Sequence, residues 1–203
     1  MNVTRPTLIV VSGPPGAGKT TLAHRLARRI GCPAICRDEI KEGMVLNTPD
    51  FSPSTADELT MRTLPTFFSV LRLLLGAGVT TVAEAAFQDH VWRPRLEPFH
   101  ELARIKVIQC VVDDAVAQAR ATHRATHEPT RRAHADATAD SLRRSFNRLA
   151  LDAPTIDVDT TDNYVPDLEF ITSFTTKKKT NPPQPSLTHT TSTHAGHEAY
   201  STD

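Results

Sequence analysis

The stretch Gly13-Pro14-Pro15-Gly16-Ala17-Gly18-Lys19-Thr20 decides the fold of this chain, because it matches the complete phosphate-loop pattern G-x-x-x-x-G-K-[ST]. The apolar run Leu8-Ile9-Val10-Val11 precedes it and indicates a strand, and Leu22 to Ile30 follow with the spacing of a helix. A strand, a glycine-rich loop and a helix in this order bind phosphate through backbone N–H groups at the helix N-terminus. The sequence therefore predicts a nucleoside triphosphate site near its N-terminal end.

Individual residues of this loop have predicted roles. Lys19 is expected to reach the β- and γ-phosphate oxygens, and the Thr20 hydroxyl is expected to be a ligand of Mg²⁺. The backbone N–H groups of Gly16 to Thr21 are expected to surround the β-phosphate. The predicted nucleotide-binding residues are Gly13, Pro14, Pro15, Gly16, Ala17, Gly18, Lys19, Thr20 and Thr21.

The composition is that of one domain with a substantial core. The chain has 203 residues, of which 39% are hydrophobic, and Lys plus Arg equal Asp plus Glu at 23 each. This balance provides no bulk attraction to nucleic acid or anionic membranes. The three cysteines lack C-x-x-C spacing, so we expect reduced, buried thiols in a cytoplasmic protein. We expect neither a signal peptide nor a membrane span, because the apolar runs are too short.

A change in composition near Thr175 divides the chain into two parts. Residues 176–203 are rich in Thr, Ser, Pro and His, so we expect a disordered tail that cannot bury enough apolar surface to fold. Residues 1–175 are expected to form the folded domain, with a lid at about 120–137.

The folded part alternates strand-like and helix-like segments, which indicates an α/β fold with a parallel sheet and helices on both faces. Helix 54–75 carries a possible capping box at Thr55-Ala56-Asp57-Glu58, and helix 137–150 is expected to direct Leu142, Phe146 and Leu149 inward. The predicted strands are 7–11, 33–37, 79–83, 105–112 and 154–158. The predicted helices are 22–30, 54–75, 91–103, 114–127, 137–150 and 166–174.

Two acidic residues follow predicted strands, at the sheet edge where ligands bind in folds of this kind. Asp38 is expected to accept the proton of an attacking hydroxyl and to hold it in line with the γ-phosphate; the alternative is that it only caps the next helix. Glu84 is expected to hold Mg²⁺ or to orient the acceptor. Lys41 shares a helical face with Asp38 and either binds an anionic group of the acceptor or is a surface lysine.

Arginines follow the fourth predicted strand. Guanidinium groups stabilise the charge that develops on the γ-phosphate, and a mobile segment that carries them also excludes water. For any single arginine, a solvated surface position is the alternative. The predicted catalytic residues are Asp38, Lys19, Arg120, Arg124 and Arg131, whereas His123, His127 and His134 receive no role.

Residues 7–174 resemble the small P-loop kinases of adenylate-kinase-like architecture, an AAA-type group related to the polynucleotide 5'-hydroxyl kinases. The resemblance is strongest in Gly13 to Thr21 and in Arg37-Asp38-Glu39-Ile40-Lys41-Glu42-Gly43-Met44. It implies a three-layer P-loop NTPase sandwich with a five-stranded parallel sheet in the order 2-3-1-4-5, and ATP and Mg²⁺ as cofactors. In this family the aspartate of R-D-x-x-[RK], here Asp38, is the general base, and the next basic residue, here Lys41, helps to bind the acceptor.

Two departures from the family pattern bear on the substrate. Residues 131–136 approximate the family's R-x-x-x-H-x-D ending but are one residue short. Glu84-Ala85-Ala86-Phe87 stands where polynucleotide kinases have a D-T-N type segment, and is closer to the relatives that act on small molecules. The expected function is transfer of the γ-phosphate of ATP to a hydroxyl of a small molecule. The alternatives are a polynucleotide 5'-hydroxyl kinase, with nucleic acid the less expected acceptor, and an ATP-binding switch or ATPase module.

Overall fold

The computed structural model describes residues 5–54, 57–127, 129–134 and 145–177, and its strands form one five-stranded sheet. Neighbouring strands are parallel throughout, and their order is β2-β3-β1-β4-β5. The expected sheet order is therefore confirmed. The strands are β1 (Thr7–Ser12), β2 (Ala34–Cys36), β3 (Thr81–Glu84), β4 (Arg104–Val111) and β5 (Thr155–Asp159).

Helices cover both faces of this sheet. Helix α5 has the bounds that the sequence predicts, and α1 ends at Gly31, which adopts a left-handed conformation with φ of 80°. The helices are α1 (Lys19–Ile30), α2 (Arg37–Leu46), α3 (Glu58–Gly76), α4 (Asp89–Leu96), α5 (Asp114–His127) and α6 (Leu168–Thr176), with short 3₁₀ helices at Glu97–Glu101 and Pro129–Ala133.

The central strand β1 supplies both halves of the core, because successive side chains of a strand point to opposite faces. Leu8 and Val10 pack against α3 and α4, in a cluster that includes Phe67, Phe87 and Trp92. Ile9 and Val11 pack on the other face against α1 and α6. A continuous apolar run in β1 thus fills two cores, and the three-layer sandwich is confirmed.

Proline and a capping carboxylate move two helix boundaries away from the predicted ones. The predicted helix 91–103 is instead α4 followed by a 3₁₀ turn, since Pro98 has no N–H to continue the α-helical hydrogen bonds. Helix α3 begins at Glu58 and not near residue 54, because the Asp57 carboxylate accepts a hydrogen bond from the Thr60 N–H at 2.7 Å and caps it.

The prediction of a helix over 137–150 is wrong for the part that the structure describes, since residues 145–150 are not helical. Their backbone bonds to other elements: Asn147 accepts a hydrogen bond from the Asp89 N–H at 3.1 Å, and the Ala150 N–H donates to the Asp89 carboxylate at 2.8 Å. Leu149 is buried all the same, as expected. Residues 137–144 and the predicted tail from 178 onward lie outside the described residues.

Helix α6 continues through Thr176, so ordered structure extends past the predicted boundary at 175. All three cysteines are free, as expected; Cys36 and Cys110 are buried, whereas Cys32 is only partly so. Within the described ranges, no helix combines the length and the apolar character needed to cross a membrane.

Candidate active site

The phosphate loop joins β1 to α1 and depends on glycine where the chain turns. Gly16 has φ of 85°, and a Cβ atom there would lie 2.5 Å from the Ala117 carbonyl oxygen of α5. Gly18 has φ of 64° and immediately precedes α1. The first N–H groups of a helix have no partner within the helix, so those at the start of α1 are available for an anion.

The phosphate loop is lined by a polar cluster of three side chains, which are Lys19, Thr20 and Glu84. The Lys19 ammonium donates to the Pro14 carbonyl oxygen at 3.0 Å and lies 4.0 Å from one Glu84 oxygen, while the Thr20 hydroxyl donates to the other at 3.1 Å. Glu84 is the last residue of β3 and is buried. Burial raises its pKa, the nearby Asp38 charge adds to this, and the Lys19 charge opposes it.

Asp38 lies in the first turn of α2, where the helix dipole favours a negative charge. Its side chain is half exposed, and one carboxylate oxygen accepts a hydrogen bond from Arg37 at 2.8 Å. The protein atoms that crowd it raise its pKa, but the charges of Arg37, His134 and Lys19 outweigh this, so the pKa of Asp38 lies below its usual value. Asp38 is therefore ionised at neutral pH and within electrostatic reach of the phosphate loop.

Lys41 is not at the surface. Its ammonium is buried, lies 2.8 Å from an Asp57 oxygen and sits over the Phe51 ring at 5.5 Å from the centroid. The alternative of a surface lysine is thus excluded, and contact with an acceptor stays a prediction.

Sequence reasoning assigned no role to His134, yet it lies beside the candidate base. Its Nε2 is 3.1 Å from a Glu42 oxygen, and its charge lowers the pKa of Asp38. The only signal in the sequence was the approximate R-x-x-x-H-x-D segment.

A cleft of about 690 Å³ lies against the phosphate loop and is closed on its far side by α5 and the loop after β5. Arg120 donates hydrogen bonds to the carbonyl oxygens of Thr160 at 2.8 Å and Thr161 at 2.7 Å, and its guanidinium also lies near Gly18. The Thr160 hydroxyl is 3.1 Å from the carbonyl oxygens of both Ala17 and Val111. The lining includes Lys19, Thr20, Thr21, Arg25, Arg120, His123, Arg124 and Tyr164.

The structure thus gathers most of the predicted site at the carboxyl edge of the sheet. Arg120 and Arg124 line the cleft beside the phosphate loop. The side chain of Arg131, the remaining predicted lid arginine, lies outside the described part of the chain. A phosphate loop at this edge of a 2-3-1-4-5 sheet defines the class, a P-loop nucleotide-binding protein of the kinase-like type.

The family follows from comparison of the sequence. The model of the AAA domain family matches residues 8–149, and the chain belongs to this family. No curated protein matches the sequence.

Solved structures share the fold. An inferred kinase from Chloroflexus aurantiacus is 24% identical with a TM-score of 0.73, and the match covers 84% of this chain and 97% of that one. Chaetomium thermophilum Kti12, in complex with ADP-AlF3, is 16% identical with a TM-score of 0.63, covering 82% and 96%. A sugar kinase from Janibacter is 21% identical with a TM-score of 0.55, covering 76% and 85%. The expected resemblance to P-loop kinases is confirmed at the level of fold.

Proposed function

We propose that this protein is an ATP-dependent kinase that transfers the γ-phosphoryl group to a hydroxyl of a small-molecule acceptor. The observation that carries the proposal is the convergence of Lys19, the Thr20–Glu84 pair and Asp38 at one edge of the sheet, next to a cleft large enough for a nucleotide. The fold is shared with a sugar kinase and with the Pnkp1 RNA repair complex, so the choice of a small acceptor rests on the Glu84-Ala85-Ala86-Phe87 segment, which departs from the polynucleotide kinase pattern.

The residues present fit a magnesium ion. A hydroxyl and a carboxylate, 3.1 Å apart at Thr20 and Glu84, are the oxygen donors that Mg²⁺ prefers. Bound there, Mg²⁺ supplies positive charge to the β- and γ-phosphate oxygens. Among the residues that the structure describes, Lys19 bonds to a loop carbonyl at 3.0 Å and pairs with Glu84 at 4.0 Å, so its ammonium is available for the same task.

The role of Asp38 follows from its ionisation. An ionised carboxylate accepts a hydrogen bond from the acceptor hydroxyl and aims its oxygen at the γ-phosphorus. Because the pKa of Asp38 is low, its carboxylate is a weak base. In a loose transition state the acceptor hydroxyl keeps its proton until late in the transfer. The main contribution of Asp38 is therefore to orient the hydroxyl. The proton ends on Asp38 and is released with the product.

Arg37 offers a further contact for the acceptor. Its Nε is buried and, within the described residues, has no hydrogen-bond partner, while its Nη1 holds Asp38. A buried donor without a partner costs free energy, which an acceptor oxygen at this position would recover. We infer that the acceptor places a second polar oxygen next to the reacting hydroxyl.

The test is transfer of labelled γ-phosphate to a panel of sugars and other hydroxyl metabolites, with 5'-hydroxyl oligonucleotides in parallel. We expect a small molecule to be labelled. Labelling of oligonucleotides alone would establish the polynucleotide alternative. Rapid ATP turnover without any acceptor, unchanged in Asp38→Asn, would establish the ATPase or switch alternative.

A matched pair of variants tests the mechanism. Asp38→Asn should lower kcat by roughly 100-fold, because the amide can accept a hydrogen bond from the hydroxyl but can neither take its proton nor supply negative charge, with ADP affinity unchanged by calorimetry. Asp152→Asn changes an exposed carboxylate before β5, at the opposite edge of the sheet, and should behave as the wild type. Equal transfer by the two variants would remove Asp38 from the mechanism.

A further inference from the structure

Three metal-ligating side chains meet outside the nucleotide cleft. His24 comes from α1, Cys36 ends β2, and Glu39 lies in the first turn of α2. The His24 Nε2 is 2.6 Å from a Glu39 oxygen and 3.7 Å from the Cys36 sulfur, and all three ligand atoms lie within 4.8 Å of one another. Among the described residues, no other group of His, Cys, Asp and Glu side chains is arranged in this way.

The ligand set and its spacing fit a tetrahedral zinc ion. Bonds of about 2.0 Å to nitrogen or oxygen and about 2.3 Å to sulfur place tetrahedral ligand atoms roughly 3.3–3.6 Å apart. The sulfur–nitrogen separation of 3.7 Å is already close to this. The shorter His24–Glu39 contact can open, because these side chains are 39% and 44% exposed.

We propose that His24, Cys36 and Glu39 bind one Zn²⁺ ion, with water as the fourth ligand. The site needs neither nucleotide nor acceptor, although it borders the candidate active site, because Cys36 lies beside Glu84. A thiolate, an imidazole and a carboxylate favour Zn²⁺ over Mg²⁺, which prefers oxygen ligands only. Its two partly exposed ligands, His24 and Glu39, and its open fourth position make it a site that exchanges metal, unlike a closed structural site.

An ordinary surface ion pair accounts for the contact between His24 and Glu39, and Cys36 packs in the core beneath it, but the Cys36 sulfur also lies 3.7 Å from the same His24 nitrogen. Burial raises the pKa of the Cys36 thiol, and the charges of Glu84 and Glu39 raise it further. A divalent cation compensates this local negative charge and replaces the thiol proton, which leaves to solvent when the sulfur–zinc bond forms.

The location gives the site a consequence for the fold. Asp38 lies between two of the ligands in the chain, and Cys36 is the register partner of Glu84 in the β2–β3 pair. A bound ion ties α1, the end of β2 and the start of α2 together on this side of the active-site edge.

The test is titration of the full, nucleotide-free chain with Co²⁺, followed by displacement with Zn²⁺. We expect one Co²⁺ per chain, with a near-ultraviolet thiolate-to-cobalt charge-transfer band that disappears in Cys36→Ser. His24→Ala and Glu39→Gln change half-exposed side chains and leave the thiol intact, and each should weaken binding about tenfold or more. Cys32→Ser, which removes a neighbouring thiol, should retain both the band and the affinity.

The outcomes separate this site from the histidines of the C-terminal segment. A variant with alanine at His189, His194 and His197 should keep the band. Absence of the band in the wild type, its persistence in Cys36→Ser, or its loss in the triple-alanine variant would each overturn the proposal. Wild-type affinity in both His24→Ala and Glu39→Gln would do the same.

Discussion

At the scale of the residue, Gly16 shows how the absence of a side chain shapes the phosphate loop, Gly13 to Thr20, whose backbone forms a cradle for phosphate. Its left-handed conformation turns the loop, and its bare Cα lets α5 approach so closely that a Cβ would lie 2.5 Å from a backbone oxygen. Backbone atoms cannot swing aside as the end of a long side chain can. Both the turn and the wall of the cleft therefore depend on this glycine.

We expect Gly16→Ala to destabilise the fold by about 2–4 kcal/mol, from left-handed strain plus overpacking, and to abolish measurable ADP binding. Urea unfolding and calorimetric titration measure the two effects. The control is Gly43→Ala, in the exposed interior of α2, where a Cβ meets nothing within 4 Å. That substitution should stabilise the protein by roughly 0.5–1 kcal/mol. Equal behaviour of the two variants would contradict the packing seen at Gly16.

The pH dependence of transfer should report Glu84 and not Asp38. Burial raises the pKa of Glu84 above its ordinary 4.5, whereas the pKa of Asp38 is lowered. As the pH falls, Glu84 takes up a proton first and loses Mg²⁺, so kcat/KM should decline at a pH above 4.5. Higher Mg²⁺ concentration should move this decline to lower pH by competition with the proton. A decline in kcat/KM that stays at the same pH at every Mg²⁺ concentration would show that a group other than Glu84 is titrating.

At this scale the sequence predicted which residues lie together at the carboxyl edge of the sheet, and their roles stay predictions. Lys19, Thr20, Asp38 and Glu84 are such residues, because parallel strands bring their carboxyl ends to one edge. The zinc ligands could not be predicted, since 12 residues separate His24 from Cys36 and no motif has that spacing. His134 reaches Glu42 across 92 residues, a contact that only tertiary folding creates.

At the scale of the element, the buried pair of Lys41 and Asp57 fastens α2 to the start of α3. The Asp57 carboxylate accepts from the Lys41 ammonium at 2.8 Å and from the Thr60 N–H at 2.7 Å, so one side chain is both ion-pair partner and helix cap. Desolvation opposes its ionisation, but these bonds outweigh it and hold the pKa of Asp57 at about 2. The junction between the two helices therefore combines this ion pair with the apolar contact of Val45 and Leu59.

Asp57→Asn keeps a capping residue but removes the charge, and should lower the free energy of unfolding by about 3 kcal/mol at pH 7, because the Lys41 ammonium stays buried without a negative charge beside it. The folded-state pKa of Asp57 is depressed, so its contribution is present above the unfolded value of about 3.9 and is lost as the pH falls toward 2. The difference between wild type and variant should shrink between pH 5 and pH 3 in urea unfolding. A difference that is constant over this range would contradict the ion pair.

Elements could be predicted where pattern and tertiary contacts agree. Helix α5 has the predicted bounds, and the Asp113 carboxylate before it accepts hydrogen bonds from the Ala115 and Val116 N–H groups of its first turn. At 145–150 the helical spacing of apolar residues misled, since Asp89 and Gln109 bind the backbone of Asn147, Leu149 and Ala150 and hold this stretch out of a helix. A pattern of apolar residues records which side chains are buried, and it does not record where the backbone bonds go.

At the scale of the whole molecule, the nucleotide cleft joins distant parts of the chain. Thr160 lies 143 residues after Ala17 and yet its hydroxyl is 3.1 Å from the Ala17 carbonyl oxygen. The Arg120 guanidinium of α5 donates hydrogen bonds to the carbonyl oxygens of Thr160 and Thr161, in the loop after β5. The phosphate loop is therefore supported from α5 and from the connection after β5, and its geometry depends on the completed sheet.

Thr160→Val preserves the shape of the side chain but removes the buried hydroxyl. We expect a loss of about 1–2 kcal/mol in the free energy of unfolding and weaker ADP binding, since a carbonyl oxygen is left without its donor. Thr66→Val removes an exposed hydroxyl that only bonds within α3, and should change either quantity little. Unaltered ADP affinity in Thr160→Val would show that the loop after β5 does not support the phosphate loop.

The link from Thr160 to Ala17 also has a consequence for biosynthesis. A ribosome makes the cradle before the strand and loop that hold it, which emerge some 140 residues later. A nascent chain that has exposed every glycine of the cradle still lacks the far wall of its cleft. Capture of nucleotide by the growing polypeptide must therefore wait until translation of the domain is nearly complete, and ATP can then act as a ligand that favours the last folding step.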